Sequence, residues 1–302
     1  MAVVHSQHRE PGTVTIDRAT CTGCGLCAQV CPTEVLRFVS DHVQIHPDST
    51  FQCIACGQCM MACPDGSVTV RGRGVSPNDL VDLPPREQRA TTEALAALMT
   101  ARRSVRHFTS RDVAPELLQQ VVAMASSAPM GIPPWDVGCV VIDGREKVRE
   151  VAWDVARGYE RLLKMMNPTV LALARPFMRA RLHTQMRTFM LPLARTYVDH
   201  YRRGDDVIFY GAPAVLVFHH SPYADLADAS IACTYAMLAA ESLGLGTTMI
   251  GGAPPLMQRD RNLCRRLGIP AGNKPTIALI LGHPAVTYRR AIARRFADVT
   301  QP

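Results

Sequence analysis

Apolar residues fall into short, separately punctuated stretches along this chain. Val35 to Val39 and Val68 to Val70 each follow a cysteine-rich loop and a short predicted helix. Residues 71–90, RGRGVSPNDLVDLPPREQRA, show no periodicity and are rich in Pro, Gly and charge, which suits a connector crossing a surface. Thr92 and Glu93 with Leu95, Leu98 and Met99 predict a short helix running into Arg102. Helical patches over 153–210 are interrupted at Pro168, Pro176, Pro192 and Gly204. Asp228 to Ser242 predicts a helix with Ile231, Cys233, Tyr235, Met237 and Leu238 on all sides, hence buried or at an interface. Gly244 caps it, and LGLGTTMIGG leads straight into a strand. No uncharged run reaches the roughly 18 to 20 apolar residues that cross a bilayer, and no signal peptide opens the chain. A cytoplasmic protein without a transmembrane segment is expected.

The chain has 302 residues, 47% hydrophobic and 20% charged, enough for two packed cores. Two domains are expected, at 1–75 and 91–302, joined by a linker at 76–90. The net charge of +7 is unevenly distributed. Residues 157–203 carry ten Lys or Arg against two Asp or Glu, which accounts for the whole excess. Eleven cysteines without a signal peptide, eight of them in the first 63 residues, point to metal or cluster binding rather than disulfides.

Cys21, Cys24, Cys27 and Cys31 precede Pro32, and Cys53, Cys56, Cys59 and Cys63 precede Pro64, so each set reads C-x2-C-x2-C-x3-C-P. The offset between the copies is 32 residues throughout, an internal repeat. Three thiolates on one loop can grip a cubane, while the fourth, beside the proline turn, points to the other cluster. One cluster is therefore expected on Cys21, Cys24, Cys27 and Cys63, the second on Cys53, Cys56, Cys59 and Cys31. Gly23, Gly25 and Gly57 let the loops approach closely and aim N–H groups at sulfide. Structural zinc is the competing reading of paired CxxC, but it needs neither the third cysteine nor Cys-Pro in both copies. Residues 12–72 resemble the bacterial two-cluster ferredoxins, which implies two 4Fe–4S clusters and one-electron transfer at low potential.

Arg102, Arg103 and Arg106 with Ser104 form a potential phosphate clamp, since guanidinium offers forked donors to phosphate oxygens. An arginine-rich helix end is more often solvated charge. Its neighbours shift that balance. RRSVRHF, APMGIPPW, GAPAVLVF, ESLGLGTTMIGG and PTIALILGHPAVTYRR, in this order, resemble the FMN-dependent nitroreductase family over residues 92–302, apart from an insert at about 153–210. The resemblance implies an α+β fold, FMN, and an intertwined homodimer with the flavin at its interface. It sets Arg102, Arg103, Ser104 and Arg106 against the FMN phosphate and ribityl chain, with Arg290 as a further phosphate contact. Ile250, Gly251 and Gly252 stand at the strand end whose backbone N–H faces flavin N5. Pro129, Met130 and Gly131 stand beside the isoalloxazine ring, without the Asn and Gln that many members place there. Trp135 is read as core. No side-chain acid or base is assigned.

The insert holds five of the fourteen methionines among its basic residues. It reads as a lid admitting an anionic substrate, a face for an acidic electron donor, a helix resting on a membrane, or a solvated helical surface. His183 and His200 in it are read as structural. Cys139, Cys233 and Cys264 are read as buried thiols. Nothing supports nucleic-acid binding. The expected activity is oxidoreduction, electrons passing from the clusters to FMN and on to a nitroaromatic, quinone or activated alkene. A ferredoxin-like protein or NAD(P)H is the donor, although no separate Rossmann fingerprint is present. An electron-transfer subunit with no small-molecule substrate is the alternative.

Overall fold

The computed structural model describes residues 11–49, 51–131 and 136–301. The cysteine repeat builds the first unit from β1 (Thr13–Ile16), α1 (Leu26–Gln29), β2 (Leu36–Val39), β3 (His42–Ile45), α2 (Gln58–Ala62) and β4 (Val68–Arg71). β1 pairs antiparallel with β4, and β2 with β3. Gly25 and Gly57, one repeat apart, occupy the N-caps of α1 and α2 at φ 77° and 74°, the left-handed region that glycine enters without strain. Val14, Val35, Leu36, Val43, Met60, Val68 and Val70 form the core, and Cys27 and Cys59 are buried with them.

Residues 76–90 contain two 3₁₀ turns, Pro77–Asp79 and Arg86–Gln88, with Val81 and Leu83 exposed. α3 (Thr92–Ala101) starts where the Thr91 hydroxyl accepts the Ala94 N–H at 3.2 Å.

The second unit runs through α4 (Pro115–Ala125), β5 (Val137–Asp143), α5 (Arg145–Met165), α6 (Pro168–Ala174), α7 (Ala180–Gln185), α8 (Leu191–Arg203), β6 (Ala214–His220), α9 (Leu226–Ser242), β7 (Gly246–Ile250), α10 (Pro254–Met257), α11 (Arg261–Arg266) and β8 (Lys274–Gly282). Its antiparallel sheet has the order β5-β6-β8-β7. The two inner strands are covered on both faces, so their alternate residues enter different cores. Val215, Val217, Ala278 and Ile280 pack with α5, α8 and α10. Leu216, Phe218, Leu279 and Leu281 pack with α4 and α9. The fold is α+β.

α9 turns small residues, Ala229, Ala232, Cys233, Ala236 and Ala240, to the sheet, which lets backbone approach backbone. Tyr235 on the same helix is exposed, while Ile231 and Leu238 are half-buried. α5 begins at Arg145, after Gly144 at φ 97°, so the chain enters the basic insert in mid-helix. A π-turn, Met186–Met190, leads into α8. Trp153 meets Tyr201 and Tyr159 meets Tyr197 edge-on at 5.1 and 5.0 Å, so α8 runs back antiparallel along α5.

Candidate functional site

Two small cavities divide the eight repeat cysteines. Cys21, Cys24, Cys27 and Cys63 line one, and Cys31, Cys53, Cys56 and Cys59 line the other. The fourth cysteine of each copy thus crosses to the partner set. Burial raises the Cys59 thiol, with added repulsion from Cys53, Cys56 and Cys31, to about 12. Burial likewise raises Cys27, followed by repulsion from Cys63 and Cys21. Crowded thiolates in such a setting need a multiply charged metal core to displace their protons, which fits a cluster. The Ser67 N–H adds a donor to Cys63 Sγ at 3.2 Å.

The arginine-rich segment rides on the edge strand β7. Ser104 bridges Thr247, the Val105 N–H donates to the Thr247 carbonyl at 2.9 Å, and the Thr248 hydroxyl donates to the Val105 carbonyl at 2.7 Å. A side chain at Gly246 would place its Cβ 2.7 Å from Val105, so this close pass requires glycine. Beside it opens a cavity of about 490 Å³, lined among others by Arg103, Glu241, Gly244, Tyr288 and Arg290. Arg103 is braced on the Thr100 and Ala101 carbonyls. Burial, then Arg103 and Arg294, lowers the pKa of the half-buried Arg102 guanidinium, so an anion there would be bound by concentrated positive charge. Thr247 Oγ1 is buried without a hydrogen-bond partner one residue from Gly246. These groups fit a phosphate with its attached chain.

Of the predicted phosphate contacts Arg103 and Arg290 line the cavity, whereas Arg102, Ser104 and Arg106 do not; the Arg106 guanidinium lies 5.7 Å from the centre of the Tyr210 ring. Tyr210 itself adopts φ 56°, a strained backbone for a bulky residue and a common mark of functional segments. At the far end of β7, Ile250 is buried and Gly251 is exposed, with no heavy atom within 4 Å of a Cβ built there. The Gly252 carbonyl accepts from the Tyr159 hydroxyl at 2.8 Å. Tyr197 Oη would lie 3.6 Å from a Cβ at Gly252. Burial raises the pKa values of Tyr159 and Tyr197, keeping both hydroxyls protonated.

Pro129, Met130 and Gly131 stand elsewhere. The Gly131 N–H donates to Asp228 Oδ2 at 3.1 Å in the first turn of α9, whereas Glu241 of the arginine cavity is in its last turn. The two are thirteen helical positions apart, about 20 Å. Trp135 and the rest of that loop, 132–135, lie outside the described residues.

In the insert, Arg175, His183, Arg187 and Arg195 rim a cavity of about 400 Å³ with Leu171 and Leu191. His200 instead pairs with Asp205 at 3.4 Å. Burial raises Cys139 and Cys233 to about 12, while the half-buried Cys264 donates to the Met257 carbonyl at 3.2 Å. Glu241, Tyr159, Tyr197 and Tyr210 were not among the sequence-derived candidates. Glu241 opens the ESLGLGTTMIGG stretch without being singled out by it, and no local motif marks the three tyrosines, which α5, α8 and the turn before β6 bring together from distant positions.

Comparison with protein families settles the class: the nitroreductase family model matches residues 99–283. The chain belongs to the nitroreductase family. A 4Fe–4S dicluster domain matches residues 13–73. This nitroreductase therefore joins a 4Fe–4S dicluster domain to a nitroreductase-family domain. It is 28% identical over 188 residues to the FMN reductase (NAD(P)H) of Bacillus subtilis (strain 168). That match covers 62% of this nitroreductase and 64% of the relative's length. The crystal structure of a nitroreductase with bound FMN from Desulfitobacterium hafniense DCB-2 shares its fold at TM-score 0.50 and 23% identity, covering 70% of this chain and all of that one. A nitroreductase with bound FMN from Bacteroides fragilis NCTC 9343 does so at 0.52 and 18%, with the same coverage. Among the described residues no helix is long and apolar enough to cross a membrane.

Proposed function

We propose that this nitroreductase gathers single electrons through its two cluster sites and delivers them from FMN to an organic acceptor, a nitroaromatic, quinone or activated alkene. The observation that carries the reading is the exposed backbone at Gly251, joined by β7 to the arginine cavity at its other end. An open ring-side backbone favours an acceptor site over a subunit that only relays electrons. Arg102, Arg103, Ser104 and Arg290 hold the flavin phosphate, with Arg106 nearer the ring among the tyrosines. Ile250, Gly251 and Gly252 present the N5 side. Bound there, FMN supplies the exchange between one-electron and two-electron transfer. Cys21, Cys24, Cys27 and Cys63 hold one cluster, and Cys31, Cys53, Cys56 and Cys59 the other.

A homodimer completes the site, with Pro129, Met130 and Gly131 of one protomer beside its partner's ring. Its support is the distance of that loop from the cavity and the exposure of Leu95, Met99, Leu226, Tyr235, Ile292 and Phe296. The donor is a low-potential ferredoxin-like protein or NAD(P)H, and the name of the Bacillus relative supports the second. Anaerobic titration with a one-electron, low-potential donor, following cluster and flavin absorbance separately, tests the relay. Flavin bleaching that Cys24→Ala stops supports it; clusters that reduce without the flavin refute it.

A further inference from the structure

The two cysteine sets stand at opposite ends of the β1/β4 ladder. Asp17 follows β1, its N–H donates to the Ser67 carbonyl at 2.8 Å, and Ser67 donates to Cys63 Sγ; this end belongs to the first set. At the other end, Thr13 pairs with Arg71, and the preceding Gly12 donates its N–H to the Cys53 carbonyl at 2.7 Å. A Cβ at Gly12 would lie 3.2 Å from Cys53 Sγ, and one at Gly72 would lie 3.2 Å from Gly12 Cα. The ladder spans three residues between its ends, about 10 Å.

The next residue crosses to the flavin unit. Arg73, its side chain only 6% exposed, reaches Asp136 Oδ1 at 3.6 Å. Asp136 is held in place by Ser221, whose hydroxyl donates to Oδ2 at 2.6 Å and whose N–H donates to the Asp136 carbonyl at 3.1 Å. Ser221 directly follows β6, and Asp136 directly precedes β5, so the acceptor of the ion pair is anchored in the sheet. In the sequence Asp136 follows Gly131 by five positions, and Pro129, Met130 and Gly131 are the residues proposed above to lie beside the isoalloxazine ring.

Resting on the relay reading above, we propose that the Cys31, Cys53, Cys56 and Cys59 cluster is the one that hands electrons to the flavin, and that Arg73 and Asp136 are the positioning residues that hold it there. Electron transfer falls steeply with distance, so the cluster nearer the flavin unit governs the last step. Each turn moves one electron from a reduced low-potential donor, through the first cluster, to the second. Two such electrons, with two protons from water, complete the reduction of one flavin.

The test uses the full-length holoenzyme. Arg73→Gln and Asp136→Asn are compared with wild type by iron content, FMN occupancy and the stopped-flow rate of cluster-to-flavin transfer after rapid reduction with a one-electron donor. Full cofactor loading with a transfer rate lowered about tenfold or more is expected, because small displacements of reacting centres are costly. Recovery in the exchanged pair Arg73→Asp with Asp136→Arg is also expected. Wild-type transfer rates in both single variants overturn the positioning role. The order of clusters is read by photoreducing the flavin in Cys24→Ser and Cys56→Ser and recording electron paramagnetic resonance of the surviving cluster. Rapid equilibration with the flavin in Cys24→Ser but not in Cys56→Ser is the expected result, and the reverse pattern overturns the order. Wild-type enzyme in which neither cluster exchanges electrons with the flavin defeats the relay reading itself.

Discussion

The hydroxyl of Tyr159 donates to the carbonyl oxygen of Gly252 at 2.8 Å, joining the buried face of α5 to the strand end that would face the flavin. Tyr197 stacks edge-on against Tyr159, and Arg106 lies over Tyr210 nearby, so ring packing and one hydrogen bond together set the position of Gly252. Tyr159→Phe retains the ring and removes the bond. The orphaned carbonyl costs about 1–3 kcal/mol, and FMN affinity is expected to fall severalfold. Calorimetry and flavin-fluorescence titration measure the two effects; an unchanged FMN dissociation constant separates Tyr159 from the flavin site.

The same hydroxyl predicts a pH dependence. Burial, then Tyr197, raises the pKa of Tyr159 in the folded protein, whereas an unfolded tyrosine ionises near pH ~10. The folded state therefore holds more protons above that pH, and its stability falls as pH rises from about 10 toward the folded value. Below about 10 the contribution is fully present. Denaturant midpoints measured from pH 8 to 11 are expected to decline less steeply in Tyr159→Phe than in wild type.

Glu241 shares the arginine cavity, where burial raises its pKa and Arg102 and Arg103 oppose the rise. A carboxylate beside a phosphate site repels the ligand. Glu241→Gln is expected to tighten FMN binding about fivefold, the equivalent of about 1 kcal/mol of relieved repulsion. Arg103→Ala and Arg290→Ala are expected to weaken it by about tenfold or more. Equilibrium dialysis of the apoprotein checks all three, and tightening absent in Glu241→Gln would mean that the carboxylate mainly braces the arginines.

The grouping of the eight repeat cysteines around two cavities was legible because the repeat sets their spacing, and the 32-residue repeat returns as matched glycine caps at Gly25 and Gly57. The helix beginning near Thr92 was legible because its capping signal is local. Glu241 opens the ESLGLGTTMIGG stretch, but a carboxylate is not itself a phosphate signal, so its place beside the arginines emerges only from the fold. Tyr159 and Tyr197 meet only because α8 folds back along α5, and Asp136 gains its meaning from an arginine 63 positions earlier. Side chains whose role depends on long-range juxtaposition leave no periodic trace.

Gly12 sits where the second cysteine set, β1 and β4 converge. A Cβ there would meet the Ala55 Cβ at 2.9 Å, Cys53 Sγ at 3.2 Å and the Arg71 carbonyl at 3.3 Å, none of which ends a flexible side chain. Gly12→Ala is expected to destabilise the first unit by about 1–3 kcal/mol, as overpacking does, and to lower iron content. Gly66→Ala, with open space around it, provides the contrast: only backbone strain at φ 64° opposes it, about 1–2 kcal/mol, and no loss of iron is expected.

Arg175, Arg187 and Arg195 surround the insert cavity with His183, and among the described residues none of the three forms an ion pair. Like charges held together without counterions raise the local potential and draw anions. If the insert lies on the acceptor's route, Arg187→Ala combined with Arg195→Ala is expected to raise KM for 4-nitrobenzoate about tenfold while leaving KM for neutral nitrobenzene nearly unchanged. Added salt is expected to reproduce the effect in wild type by screening. Equal changes for the two acceptors would assign the cavity to folding rather than selection. Unchanged acceptor kinetics with a slower reaction toward an acidic ferredoxin would make it the docking face of the donor, so steady-state measurements with both partners decide which end of the electron path the arginines serve.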